Sequence, residues 1–249
     1  MPEFSALKPF LLTVVFLALG LLIMLVGEAA ARPYGFNAAF IILPVFVLYN
    51  LLLARLLGLK KELRTYWGLR KSPLFIAGCL IGAMLVFVPL LSASLAGNLI
   101  PAKETVSLSL KGLLITLCII AWEELWFRGM ALNYLAGKSS PLSAAAFTSA
   151  GFALMHMMNP AMNIRAAGPN LFLASFFMCA GYLYFKSIWF SLGLHFFWNA
   201  FNCAGPLLLE KDFPAGALWG QNGILLSFML AAGSAVLGFL LRRRITSNT

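Results

Sequence analysis

Apolar residues run along this chain in long, nearly unbroken stretches separated by short polar or Gly/Pro-containing breaks. A helix needs about 20 apolar residues to cross a hydrocarbon core. Stretches near that length run from Pro9 to Gly27, Phe36 to Leu57, Pro73 to Leu95, Ser107 to Leu135, Leu142 to Met158, Leu171 to Phe185, Ile188 to Ala204 and Ile224 to Leu241. Turn residues punctuate them: Arg32-Pro33-Tyr34-Gly35, Gly97-Asn98 with Pro101, Asn159-Pro160 and the run to Asn170, Lys186-Ser187, and Glu210-Lys211-Asp212 with Pro214 and Gly216. The pattern predicts an all-α fold, a polytopic transmembrane bundle of about eight membrane-spanning helices. It forms a single integral membrane domain over residues 1–249.

Composition sharpens this. The chain is 61% hydrophobic with mean hydropathy +0.91, against roughly 45–50% apolar for a soluble domain. The net charge of +10 would suit nucleic acid, but the basic residues gather in short loops beside apolar helices, as the positive-inside rule expects. Charge here reports topology, and nucleic acid is excluded as a partner. The densest basic loop holds Arg55, Lys60, Lys61, Arg64, Arg70 and Lys71. Placing it in the cytoplasm puts both termini there, together with Lys138, Lys186 and Arg242-Arg243-Arg244, in a multi-pass protein of the cell (inner) membrane. Glu28-Ala29-Ala30-Ala31 has the look of a signal-peptidase site, but the apolar stretch before it exceeds a 7–15-residue signal core, so the first helix is expected to be retained. The four cysteines, Cys79, Cys118, Cys179 and Cys203, are far apart in apolar segments and read as helix-packing residues.

Glu123-Glu124-Leu125-Trp126-Phe127-Arg128 stands out against this background. Only 10% of residues are charged, and ionisable groups at membrane depth are expensive, so such a cluster marks a functional site by default. Residues four apart share a helix face, which pairs Glu124 with Arg128. Glu123 is turned by roughly 100° from its neighbour. It is left to face a polar cavity. The chain's two histidines follow in later helices: His156 four residues after Phe152, and His195 four before Asn199. A carboxylate, two imidazoles and an amide meeting in one cavity would activate a water and stabilise an oxyanion. Each also has a plainer reading, Glu124 with Arg128 as a structural ion pair and His or Asn as interhelical glue.

Glu123-Glu124-x-x-x-Arg128-Gly129, then Phe152-x-x-x-His156, then His195-x-x-x-Asn199 resemble, in order, the three motifs of the CAAX protease and bacteriocin-processing family of intramembrane glutamic endopeptidases. The resemblance covers about residues 107–205, the motif-bearing core. It implies a metal-free peptidase without a cofactor, cutting near the C-terminus of prenylated or other membrane-associated proteins or peptides in the lipid bilayer. Carried over, Glu123 looks like the general base, with His156 assisting it. His195 and Asn199 look like the oxyanion pair, and Glu124 and Arg128 look like support. Two rivals stand beside this reading. Glu123, His156 and His195 would make three ligands of a catalytic zinc site, although the chain has no His-Glu-x-x-His helix. Alternatively the chain is a non-catalytic immunity or scaffold protein that binds a peptide or partner. The charge-based orientation sets His156 near the non-cytoplasmic end of its helix, whereas a protease of cytoplasmic C-termini should open to the cytoplasm.

Overall fold

The computed structural model describes residues 3–34, 37–95, 109–156, 164–203 and 221–246, and every regular element among them is helical. Leu-, Phe- and Ala-rich runs give α1 (Glu3–Ala31), α2 (Ala39–Leu56) and α4 (Pro73–Leu95), and the basic segment between the last two gives the short α3 (Lys60–Trp67). A continuous rod follows, made of α5 (Leu110–Glu124), a π-helical stretch (Leu125–Leu132) and α6 (Asn133–Ala136). Then come α7 (Pro141–His156), α8 (Ile164–Phe185), α9 (Ile188–Cys203) and α10 (Gln221–Thr246). Among the described residues three helices are long and apolar enough to cross a membrane, or four if the bent pair Lys60–Lys71 and Pro73–Pro89 makes one span.

Side chains that accept otherwise orphaned N–H groups set several helix starts. Gly112 N donates to Ser109 Oγ at 3.0 Å ahead of α5, Ser143 N to Ser140 Oγ at 3.0 Å ahead of α7, and Ala39 N to Asn37 Oδ1 at 3.0 Å ahead of α2. Helix α1 continues unbroken through Glu28-Ala29-Ala30-Ala31. At the α8–α9 turn Lys71 Nζ donates to the carbonyls of Phe185 and Lys186 at 2.9 and 2.7 Å. A cation there satisfies the unpaired carbonyls of a helix C-terminus.

Two expectations from the sequence are corrected. The basic loop is not irregular, since residues 60–67 form α3, whose Tyr66 stacks on Tyr182 with centroids 4.6 Å apart. Tyr66 and Trp67 are half-buried while Lys60 and Lys61 stay exposed. The Asn/Gly/Pro run before Leu171 is in part helix, because α8 starts at Ile164 and includes Pro169. The reason is tertiary: Asn170 is buried and accepts a hydrogen bond from Ser227 of α10, so a residue with turn chemistry serves as a helix contact. The turn signals at Gly35, Gly97-Asn98, Pro101, Asn159-Pro160 and residues 210–216 lie outside the described residues.

Helix α4 lies close against α9. A Cβ on Gly78 would run into the Phe190 carbonyl, and one on Gly193 into the Phe75 carbonyl. Small residues at such a seam let backbones approach, the usual device of membrane helices. Cys79 Sγ donates to Gly193 O at 3.3 Å across it, a packing role for that cysteine. Helix α9, which carries His195, also packs against α5.

Candidate active site

Glu123 and Glu124 close α5, and the backbone widens into the π-helical stretch immediately after them. Such stretches are rare and tend to occur at functional sites. Here the wide turn is stabilised from outside. Asn133 Nδ2 donates to the Gly129 carbonyl at 3.0 Å and contacts Tyr182 Oη at 2.7 Å. Gly129 itself is closely packed, since a Cβ would meet Trp67 at 3.0 Å and Asn50 Oδ1 at 3.1 Å and both side chains would have to give way. The glycine after the arginine is therefore a close-approach position, where α2 and α3 lie against the π segment.

Arg128 is fully buried, and its guanidinium is matched on several sides. Nη1 donates to Glu124 Oε1 at 2.9 Å, Nη2 to Ser175 Oγ on α8 at 2.8 Å, and the Phe152 ring lies 4.9 Å from the guanidinium carbon. The same Glu124 oxygen takes a second hydrogen bond, from His195 Nδ1 at 2.9 Å. One buried carboxylate thus links α5, the π segment and α9, and through Arg128 it reaches α8. An ion pair is tolerable at this depth because it is hydrogen-bonded as well as charge-balanced.

His195 uses its other nitrogen differently. With Nδ1–H given to Glu124, the Nε2 edge sits 3.3 Å from Asn199 Nδ2 and 3.4 Å from Glu123 Oε2. That Glu123 oxygen is buried and makes no hydrogen bond among the described residues. Glu123 also lines a cavity of about 740 Å³ together with His156, Trp122, Phe127 and Met155, closed on the far side by Met24 of α1 and Ile42 of α2. Within this wall His156 Nδ1 sits 2.9 Å from the Phe152 carbonyl. Donating there leaves Nε2 as the acceptor.

The candidate residues therefore separate into two groups. Glu123 and His156 share the cavity wall, while Glu124, Arg128, His195 and Asn199 form a hydrogen-bonded chain behind it. Phe152 joins the groups, with ring centroids 4.4 Å from His156 and 5.9 Å from His195. Sequence spacing paired Phe152 only with His156, and its contact with the arginine and the second histidine is tertiary. Ser175 is not legible in the sequence, because a lone serine in a Phe- and Ala-rich helix carries no signal. No three His, Cys, Asp or Glu side chains converge as metal ligands among the described residues.

A helical protein with a buried Glu–Arg–His knot beside a Glu- and His-lined cavity belongs, by class, with membrane proteins that keep ionisable chemistry at depth. Residues 105–201 match the family model described as type II CAAX prenyl endopeptidase Rce1-like. The match covers all three motifs and bears out the family resemblance they carry. No curated protein and no solved structure matches the chain. Together, the apolar helices and the family match make this an integral membrane protein.

Proposed function

We propose that this protein is a metal-independent glutamic endopeptidase of the membrane, acting on membrane-associated proteins or peptides, prenylated tails being one candidate class. The observation that carries this reading is Glu123, which lines a cavity shared with His156 and whose Oε2 lies 3.4 Å from His195 Nε2 without a hydrogen bond among the described residues. Glu123 takes a proton from water held with the help of His156 Nε2, and the water attacks the scissile carbonyl. With a proton on each ring nitrogen, His195 gives Nδ1–H to Glu124 and presents Nε2–H, together with Asn199 Nδ2, to the developing oxyanion, and Glu123 then hands the proton to the leaving amine. Glu124 and Arg128 keep the His195 ring in place and its Nδ1 proton fixed.

The same reading makes the chain a single membrane domain of about eight spans, with residues 107–205 as its catalytic core. Eight rods support that number: α1, α2, α4, the α5–α6 rod, α7, α8, α9 and α10. Helices α7 and α9 have 16 residues each. At 1.5 Å per residue such a rod covers about 24 Å, short of a core of about 30 Å.

The test is cleavage of a peptide panel, with and without a farnesylated cysteine, by detergent-purified wild type and Glu123→Ala, in the presence and absence of a chelator. Cleavage by wild type alone, unaffected by the chelator, is expected. A stoichiometric zinc whose removal abolishes cleavage would replace this reading with a zinc protease. A cellular phenotype that survives alanine at Glu123 and His156 would replace it with a binding role.

A further inference from the structure

The contacts that build the site also fix which end of the bundle the cavity occupies. Phe10, early in α1, meets Phe147, early in α7, at 5.1 Å, and Phe16 meets Tyr134 of α6 at 5.3 Å. From there α1 and α7 run side by side to the cavity, where α1 supplies Met24 and Glu28, the turn after it Arg32, and α7 Met155 and His156. Helix α2 starts at the cavity, with Asn37 to Ala39 and Ile42 in its wall, and leads away from it to Arg55. The end of α1, the start of α2 and the end of α7 therefore meet at one face.

The basic residues mark the other face. Lys8 lies at the start of α1, and Lys138 lies between α6 and α7. Segment 55–71 reaches the α8–α9 turn through Lys71 and through Trp189 Nε1, which donates to Gly68 O at 3.1 Å. Arg242 of α10 lines a groove with Leu142, at the start of α7. All of these groups lie opposite the cavity. Among the described residues the cavity face has Arg32, with Lys111 and Arg165 in the first turns of α5 and α8. The positive-inside rule counts Lys and Arg near span ends, and acidic residues contribute little to it. Arg55, Lys60, Lys61, Arg64, Arg70 and Lys71 alone outweigh the cavity face.

From this geometry we infer that the cavity holding Glu123 and His156 opens on the extracytoplasmic side of the membrane, so that its substrate is an apolar peptide segment presented on that side rather than a cytoplasmic tail. The inference rests on the peptidase reading for the word substrate, but its sidedness rests on charge and packing alone. The cavity wall suits such a segment: Ile42, Ile119, Trp122, Phe127 and Met155 are apolar, and the exposed Glu28, Arg32 and Asn37 sit where the cavity meets solvent. A prenylated cytoplasmic C-terminus would arrive at the opposite face.

Two readouts on sealed vesicles of known sidedness test this. Arg32→Cys and Glu28→Cys, each compared with Lys60→Cys and with wild type as the blank, are exposed to a membrane-impermeant maleimide. Labelling of both cavity-face variants in right-side-out vesicles, with Lys60→Cys labelled only in inverted ones, is expected. The reverse pattern overturns the inference. The peptide panel, carrying a charged and therefore impermeant fluorophore, is then added without detergent. Cleavage confined to right-side-out vesicles supports the substrate assignment, and cleavage confined to inverted vesicles overturns it. No cleavage even in detergent, with Arg32→Cys labelled from outside, defeats the peptidase reading and the substrate assignment with it, while the sidedness of the cavity stands.

Discussion

Glu123 and Glu124 are neighbours in sequence and opposites in environment. Glu124 is fully buried and held on one oxygen by both Arg128 and His195, each at 2.9 Å. Glu123 lines the cavity, with Oε2 3.4 Å from His195 Nε2, and each of the two carboxylates keeps its Oε2 without a hydrogen bond among the described residues. One side chain has its charge consumed by structure and the other keeps its charge available. The difference arises from helix rotation, and the proposed base is the carboxylate that the pair with Arg128 leaves out. On the proposed reading the second carboxylate serves the first, because it gives the neighbouring histidine a fixed partner.

Mutations that exchange or erase this contrast sharpen it. Glu123→Gln should lower kcat by about 10³- to 10⁴-fold, some 4–5.5 kcal/mol, with no loss of folded stability. Arg128→Leu should act the other way round, costing about 3–5 kcal/mol of stability because Glu124 becomes a buried charge with only His195 beside it. Thermal unfolding in detergent measures it, and an unchanged midpoint would mean that the knot is solvated. Asn199→Ala should reduce kcat by about 10²-fold, near 2.7 kcal/mol, with KM little changed, as for loss of one oxyanion donor. A change in KM alone would move Asn199 from transition-state stabilisation to substrate binding. Ser175→Ala should be the mildest, about 1.5 kcal/mol of stability for one hydrogen bond to a charged group, read from the same unfolding curves.

Much of this contrast is legible in residue spacing. Positions four apart announce the Glu124–Arg128 pair, and the rotation of Glu123 away from it follows from the same arithmetic. The ends of α4, α9 and the α5–α6 rod fall within a few residues of the apolar stretches that predict them. The π segment is not legible, since it depends on Asn133, Tyr182 and the close approach of Trp67, which lie far apart in sequence. Nor is the far wall of the cavity, supplied by Met24 and Ile42 from helices without motif residues. The start of α8 is not legible either, because Asn170 and Pro169 carry turn chemistry, whereas Asn170 is buried and bonded to Ser227 of α10. Short polar runs in a membrane chain serve either solvent or a neighbouring helix, and spacing alone does not distinguish the two.

The most direct test places Glu123→Gln and Glu124→Gln side by side, each measured for peptide cleavage and for thermal unfolding in the same detergent. The account predicts that Glu123→Gln unfolds like wild type and does not cleave, while Glu124→Gln unfolds several degrees lower and loses activity through misplacement of His195. Full cleavage by a normally folded Glu123→Gln would contradict the assignment of Glu123 as the base.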